Sequence, residues 1–223
     1  MKTAMTRPEE INRFEDLGRA SMQIVHDLKN QLNGLKLYAT FLRRRIEKGE
    51  RPGDEQETIN KLIGGLDRAA EDLSTIVRYG RPVELKKQTG VDVDKVLREI
   101  CTAFEGNGSQ IRWNKSSDVV KGDFDQFKLN DAFNWICVGA LKHRETKNGD
   151  GDTINVSAKL TGNESKTAVI EWSGLRQLDH DPFRSFAGSD EIKLALAAKI
   201  IEGHGGSAKF IDNKLVVKLP LSG

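Results

Sequence analysis

The segment Val25-His26-Asp27-Leu28-Lys29-Asn30 gathers an imidazole, a carboxylate and a side-chain amide within a few residues. A neutral imidazole has a nitrogen lone pair available near pH 7 and is a competent nucleophile for phosphoryl groups. A neighbouring carboxylate can orient the ring and hold the proton of its other nitrogen. His26 would be the nucleophile, Asp27 its acid/base partner, and Asn30, one helical turn further on, a group that positions phosphate oxygens or a water. The same three residues would also suit a solvated helix surface, and spacing alone leaves both readings open.

The element that must carry them is a long helix. Thr6-Arg7-Pro8-Glu9 forms a capping box with proline in the first turn, and no comparable breaker follows until Gly49-Glu50-Arg51-Pro52-Gly53. That interval predicts a helix of about 40 residues, or about 60 Å. Phe14, Leu17, Ser21, Ile24, Leu28, Gln31, Leu35, Tyr38 and Leu42 recur at alternating steps of three and four, and Ile11, Leu32 and Ile46 widen the stripe. His26 lies two residues from both Ile24 and Leu28, about 200° from the seam, and is expected to face water.

A second helix should open at Asp54, carry Ile59, Leu62, Ile63, Leu66, Ala69, Ala70, Leu73, Ile76 and Val77, and stop at Gly80-Arg81-Pro82. The short link makes the pair antiparallel. A single hairpin of this length leaves half of each apolar stripe uncovered. A second copy is the simplest cover, which gives a four-helix bundle about a two-fold axis and a homodimer.

Residues 83–223 switch period. Val91–Phe104 is expected as an amphipathic helix, Ile111–Asn114 as a strand, and Phe124–His143 as an apolar helix. Thr153–Leu160 and Lys166–Trp172 should be strands around Thr161-Gly162-Asn163, Leu175–Ser189 a loop, and Glu191–Gly203 a helix closed by Gly205-Gly206. Ser207–Ile211 should pair with Lys214–Leu219 across the two-residue turn Asp212-Asn213. The fold class is therefore α+β: a helical hairpin over 1–82, then an α/β sandwich over 83–223 with a mixed sheet covered by helices on one face.

Composition narrows the function. Among 223 residues, 35 Lys and Arg against 33 Asp and Glu give a charge of +2, and only 6% are aromatic. No basic stripe with interleaved aromatics emerges, so no nucleic-acid partner is expected. Neither a membrane-spanning run nor a secretory leader is legible, which points to a cytoplasmic protein. Cys101 and Cys137 stand apart in the sequence without clustered histidines, which supports neither a disulfide framework nor a zinc site.

The run Gln23-Ile24-Val25-His26-Asp27-Leu28-Lys29-Asn30-Gln31-Leu32-Asn33, set in a long hairpin, resembles the phospho-acceptor box of bacterial two-component histidine kinases. The element order of 83–223 is similar to that of their ATP-binding domain. The resemblance implies that His26 is phosphorylated, that Asp27 is its acid/base partner, and that Asn30 supports dephosphorylation of a partner.

It also implies four nucleotide-binding motifs, and three depart from the pattern. The helix Asp123–His143 keeps Lys142 and His143 at its end, but Gly139 falls where the magnesium-binding Asn belongs, and a glycine offers no oxygen to a hard cation. In Ile170-Glu171-Trp172-Ser173-Gly174, Trp172 replaces the adenine-reading Asp and Arg176 the second Gly; a shift of one residue would put Glu171 there instead. Glu191-Ile192-Lys193-Leu194 replaces the glycine-rich phosphate cradle. Phe183-Arg184-Ser185-Phe186 keeps its pattern.

A phospho-acceptor hairpin beside a degenerate ATPase domain resembles the dimeric histidine phosphotransferases of phosphorelays. The implied activity is ATP-independent transfer between His26 and the aspartates of response-regulator receiver domains, with no cofactor on this chain and magnesium on the receiver. A working kinase or phosphatase fragment and a non-catalytic dimeric scaffold are the alternatives. Lys142, His143 and Lys193 could attract an anion, Arg43-Arg44-Arg45 either an acidic receiver or their own helix dipole. Asp179-His180-Asp181 reads as a solvated loop, and Trp135 and Trp172 as core.

Overall fold

The computed structural model describes residues 29–45, 47, 55–106, 110–114, 120–147, 150–151, 153–162, 166–186 and 189–221. His26 and Asp27, the expected helix start at Thr6, the seam positions up to Leu28, Ile46 and the interhelical link lie outside them. Two compact units change over between Arg81 and Pro82, with Phe186–Ser189 grouped with the first.

In the first unit, α1 is described over residues 29–45 and α2 over Glu55–Gly80. Gln31 Nε2 donates to Asp72 Oδ2 at 2.6 Å, and Leu35 lies so close to Gly65 that a Cβ there would sit 2.6 Å from Leu35 Cδ2. Contacts that advance along α1 as they retreat along α2 make the pair antiparallel.

The face of α2 turned inward is small and polar: Thr58, Gly65, Ala69, Asp72 and Thr75 are buried. Ile59, Ile63, Leu66, Leu73 and Val77, at steps of three, four and seven, are 47–56% exposed. On α1, Gln31, Leu35 and Leu42 are half-buried, while Leu32 and Tyr38 of the expected seam are exposed, as are Leu37 and Phe41. The heptad pattern thus marks two stripes on α2, and the larger side chains lie on the one facing away from α1.

The second unit runs β1 (Gln88–Asp92), α3 (Val93–Gly106), β2 (Ile111–Asn114), β3 (Lys121–Phe124), α4 (Gln126–Lys142), β4 (Thr146–Lys147), β5 (Asp150–Gly151), β6 (Ile154–Thr161), β7 (Thr167–Ser173), a 3-10 turn (Pro182–Arg184), α5 (Ser189–Gly203), β8 (Ser207–Ile211) and β9 (Lys214–Pro220). Five strands form one mixed sheet in the order β2-β6-β7-β9-β8, with β2 parallel to β6 and the other pairs antiparallel. β1 pairs with β3 apart from it.

Alternation sorts the sheet into two faces. Val156, Trp172 and Leu215 stand opposite one another across β6, β7 and β9, as do Ala158, Ile170 and Val217. All are buried in one cluster with Val96, Leu97 and Ile100 of α3, Leu129, Phe133 and Ile136 of α4, and Leu194, Ala197 and Ile201 of α5.

The starts of α4 and α3 differ from the sequence reading for physical reasons. Phe124 ends β3 instead of opening α4, because Asp125 takes the N-cap: its backbone is extended and its Oδ1 accepts from Lys128 N at 3.0 Å. Helix α3 starts at Val93, since Val91 and Asp92 pair with β3. The Asp212-Asn213 turn forms as expected, both residues having positive φ (51° and 57°), the conformation of a type I′ hairpin. Gly205, φ 83°, ends α5 by donating to Glu202 O.

Candidate functional site

Of the three residues singled out for phosphoryl chemistry, Asn30 is described: it lies exposed on α1, one residue before Gln31, which turns inward to Asp72. His26 and Asp27 fall outside the described residues. Asp72, on the inner face of α2 a step of three beyond Ala69, is a buried carboxylate that the apolar periodicity did not single out.

The residues expected to line a nucleotide site converge differently. Gly139 of α4 is buried, and a Cβ built on it would meet Cδ1, Cδ2 and Cγ of Leu194 at 2.7, 2.7 and 2.8 Å. The isobutyl group of Leu194, on α5, occupies the space that a side chain at 139 would need. Trp172 is wholly buried, its ring 5.9 Å from that of Phe133, and its Nε1 donates to Cys137 Sγ at 3.3 Å. The Cys137 thiol is itself held well above its usual range, first by hydrogen bonding with the Cys101 thiol and then by burial. Two cysteines distant in sequence thus meet between α3 and α4.

Glu191 is buried at the start of α5, where Ser185 Oγ donates to its carboxylate and His180 Nε2 lies 4.0 Å away. Lys142 pairs with Asp190 at 3.5 Å. His143 caps the end of α4, its N–H donating to Gly139 O and its carbonyl accepting from Arg176 N. Its ring is buried, and neither ring nitrogen has a hydrogen-bond partner among the described residues. Desolvation holds its pKa below the usual imidazole value, against the opposing pull of Glu191. The polar groups of this corner therefore satisfy one another or stay neutral.

Glu171, the alternative acid in the sequence reading, points to the other face of the sheet. Lys159 Nζ and Lys214 Nζ donate to it at 2.9 and 3.0 Å and draw its pKa down. Asp181 of the Asp-His-Asp run caps the 3-10 turn by accepting from Phe183 N, which buries Phe183. Among the described residues no cluster of three or more His, Cys, Asp or Glu could hold a metal ion, and no helix is long and apolar enough to cross a membrane. Arg45 lies over the Phe41 ring at 5.1 Å.

A second histidine is integral to the fold. His204 accepts from Asp125 N at Nε2 (3.0 Å), and its Nδ1 meets Ile200 O at 2.9 Å, which fixes the neutral tautomer protonated at Nδ1. Burial lowers its pKa. Through Asp125, whose Oδ2 accepts from Lys86 N at 2.7 Å, it joins the end of α5 to the start of α4 and the segment before β1.

No family model matches the sequence, and no curated protein matches it. Solved structures do. Similar chains include the Acinetobacter baumannii histidine kinase AdeS (17% identity, TM-score 0.64, 89% of this chain and 98% of that one). The histidine kinase ThkA in complex with the response regulator TrrA aligns at 16% identity and TM-score 0.65, over 95% of this chain and 64% of that one. Full-length ShkA in complex with AMPPNP aligns at 14% identity and TM-score 0.56, over 92% and 46%. This chain thus spans nearly all of the AdeS chain but less than two thirds of the other two. At these identities the likeness is one of fold: hairpin followed by α+β unit, as in histidine kinases.

Proposed function

We propose that this chain is a histidine phosphotransferase of two-component signalling that works without ATP. In this reading a neutral ring nitrogen of His26 attacks the phosphorus of an aspartyl-phosphate on a receiver domain. The P–O bond breaks, the aspartate leaves as carboxylate, and phosphohistidine forms; a second receiver's aspartate reverses the step. Asp27 holds the ring and its second proton, Asn30 orients phosphate oxygens or water, and magnesium belongs to the receiver. The kinase fold, and the capture of one kinase of that fold with a response regulator, support receiver domains as partners.

A homodimer completes the proposal. The outer stripe of Ile59, Ile63, Leu66, Leu73 and Val77 has heptad spacing and is about half exposed. A second copy laid along it would form a four-helix bundle.

The observation that carries the ATP-independent half is the packing of Leu194 against Gly139. If nucleotide bound as the family resemblance implies, magnesium would need a side-chain oxygen at 139 and the phosphates an open backbone near 191–194. A leucine side chain stands in the first place, and a buried carboxylate, Glu191, adds a like charge to the second.

The competing reading, an autokinase, is favoured by the fold likeness to kinases, one of them crystallised with AMPPNP. Mixing the chain with a phosphorylated receiver should place acid-labile phosphate on His26, and His26→Ala should abolish it. Label from γ-labelled ATP reaching His26 without a receiver would establish the autokinase instead.

A further inference from the structure

The face of the five-stranded sheet turned away from the helices is cationic. In register, Arg112 stands opposite Asn155 and Asn155 opposite Ser173; Ser157, Glu171, Val216 and Lys209 form a second row; Lys159, Val169, Lys218 and Ser207 form a third. Lys214 completes the set opposite Ile211. Among the described residues, the side chains on this face therefore include Arg112, Lys159, Lys209, Lys214 and Lys218 against one carboxylate, Glu171.

The helical layer shows no such bias: α3, α4 and α5 together carry six Lys or Arg and seven Asp or Glu. A charge of +4 on one sheet face exceeds the +2 of the whole chain. Glu171 already draws in Lys159 and Lys214, whereas Arg112, Lys209 and Lys218, all exposed, have no carboxylate within ion-pair distance among the described residues.

We propose that this open sheet face docks a protein surface rich in aspartate and glutamate. Charge complementarity names the partner: the sheet's own Glu171, held by two ammonium groups, is the pattern that incoming carboxylates would repeat at Lys209, Lys218 and Arg112. Among the described residues the face presents no aromatic side chain on which bases could stack and no helix able to enter a groove, which disfavours nucleic acid. Five strands about 4.8 Å apart and three to four alternate residues deep cover roughly 400 Å². That is about half of one partner's share in a standard interface, so the contact is transient, electrostatically steered and weakened by salt. It does not depend on the phosphotransfer reading.

The test uses the full chain and a fluorescein-labelled poly-L-glutamate peptide as the probe, followed by anisotropy at low salt. Lys209→Glu/Lys218→Glu should weaken binding about tenfold or more, whereas Lys95→Glu/Arg98→Glu, the same charge change on α3, should alter it less than about twofold. Carbodiimide coupling of the wild-type chain to the peptide, mapped by mass spectrometry, should join it to Lys209 and Lys218, a readout independent of how the variants fold. Equal losses in both variants, or coupling mainly elsewhere, would overturn the proposal. So would tighter binding of duplex DNA, or of phosphatidylglycerol vesicles, with the same dependence on Lys209 and Lys218.

Discussion

Gly139 and Leu194 make a quantitative case for coupled packing. Gly139→Ala would gain about 1 kcal/mol of helix propensity. Its Cβ, however, would lie 2.7–2.8 Å from three carbons of Leu194, nearly an ångström inside ordinary contact. Both residues are buried, so Leu194 cannot swing into solvent, and overpacking should cost about 1–3 kcal/mol, leaving a net loss of up to about 2. Leu194→Ala alone empties a fully buried site and should cost about 2–5 kcal/mol. In the double variant the new methyl enters the space vacated by Leu194, the clash disappears and the propensity gain remains. It should then be more stable than Leu194→Ala by about 1 kcal/mol or more, a coupling of about 1–3 kcal/mol. Urea unfolding of all four proteins, followed by tryptophan fluorescence, which includes the buried Trp172, measures the cycle. Additivity within about 0.5 kcal/mol would refute the claim that these side chains compete for one volume.

Three further outcomes are expected. His143 and His204 are both buried with depressed pKa values, so the unfolded chain binds protons that the folded unit refuses; stability present above about pH 6.5 is lost as pH falls toward the folded values, by up to about 2.7 kcal/mol per pH unit if both contribute. His143→Leu should flatten that slope in a pH series of melting curves, its ring having no hydrogen bond to lose among the described residues. Leu66→Glu with Leu73→Glu should leave the hairpin helical by circular dichroism while giving a monomer by light scattering; an unchanged dimer would move the interface elsewhere. Asp212→Asn with Asn213→Gly, which suits positive φ at both turn positions, should stabilise the β8–β9 hairpin by about 0.5–1 kcal/mol in thermal unfolding.

The parts of the fold legible in the sequence are those where one local rule acts alone. Alternation in Thr153–Leu160 and Lys166–Trp172 gave β6 and β7 nearly to the residue, because each strand has a core face and a polar face. Asp212-Asn213 read as a hairpin turn because few residue pairs accept positive φ. Strands β1 and β3 escaped: QTGVD and KGDF are short and mostly polar, and they find their partners only across α3. The start of α4 is not legible in the sequence because Phe124 is apolar in either element, and the cap that decides it, Asp125, donates its N–H to His204, far along the chain. The Cys101–Cys137 meeting needed two helices to be docked first.

The heptad reading of the hairpin found the period but could not say which stripe faced inward. Apolar size alone does not decide it: on α2 Ile59, Ile63, Leu66, Leu73 and Val77 are about half exposed, while Thr58, Ala69, Asp72 and Thr75 are buried. Small residues permit close approach, as Gly65 does under Leu35, and the Gln31–Asp72 bond ties the register of the two helices there. Ile59, Ile63, Leu66, Leu73 and Val77 stay about half exposed, and that is the physical reason to seek a second copy along them. In the other unit the same logic runs in reverse. Gly139 and Leu194 look like two separate departures from a nucleotide site when read along the chain, yet in space each accounts for the other. The volume beside Gly139 is filled by Leu194, so placing an asparagine at 139 alone should unsettle the core before it could hold any cation.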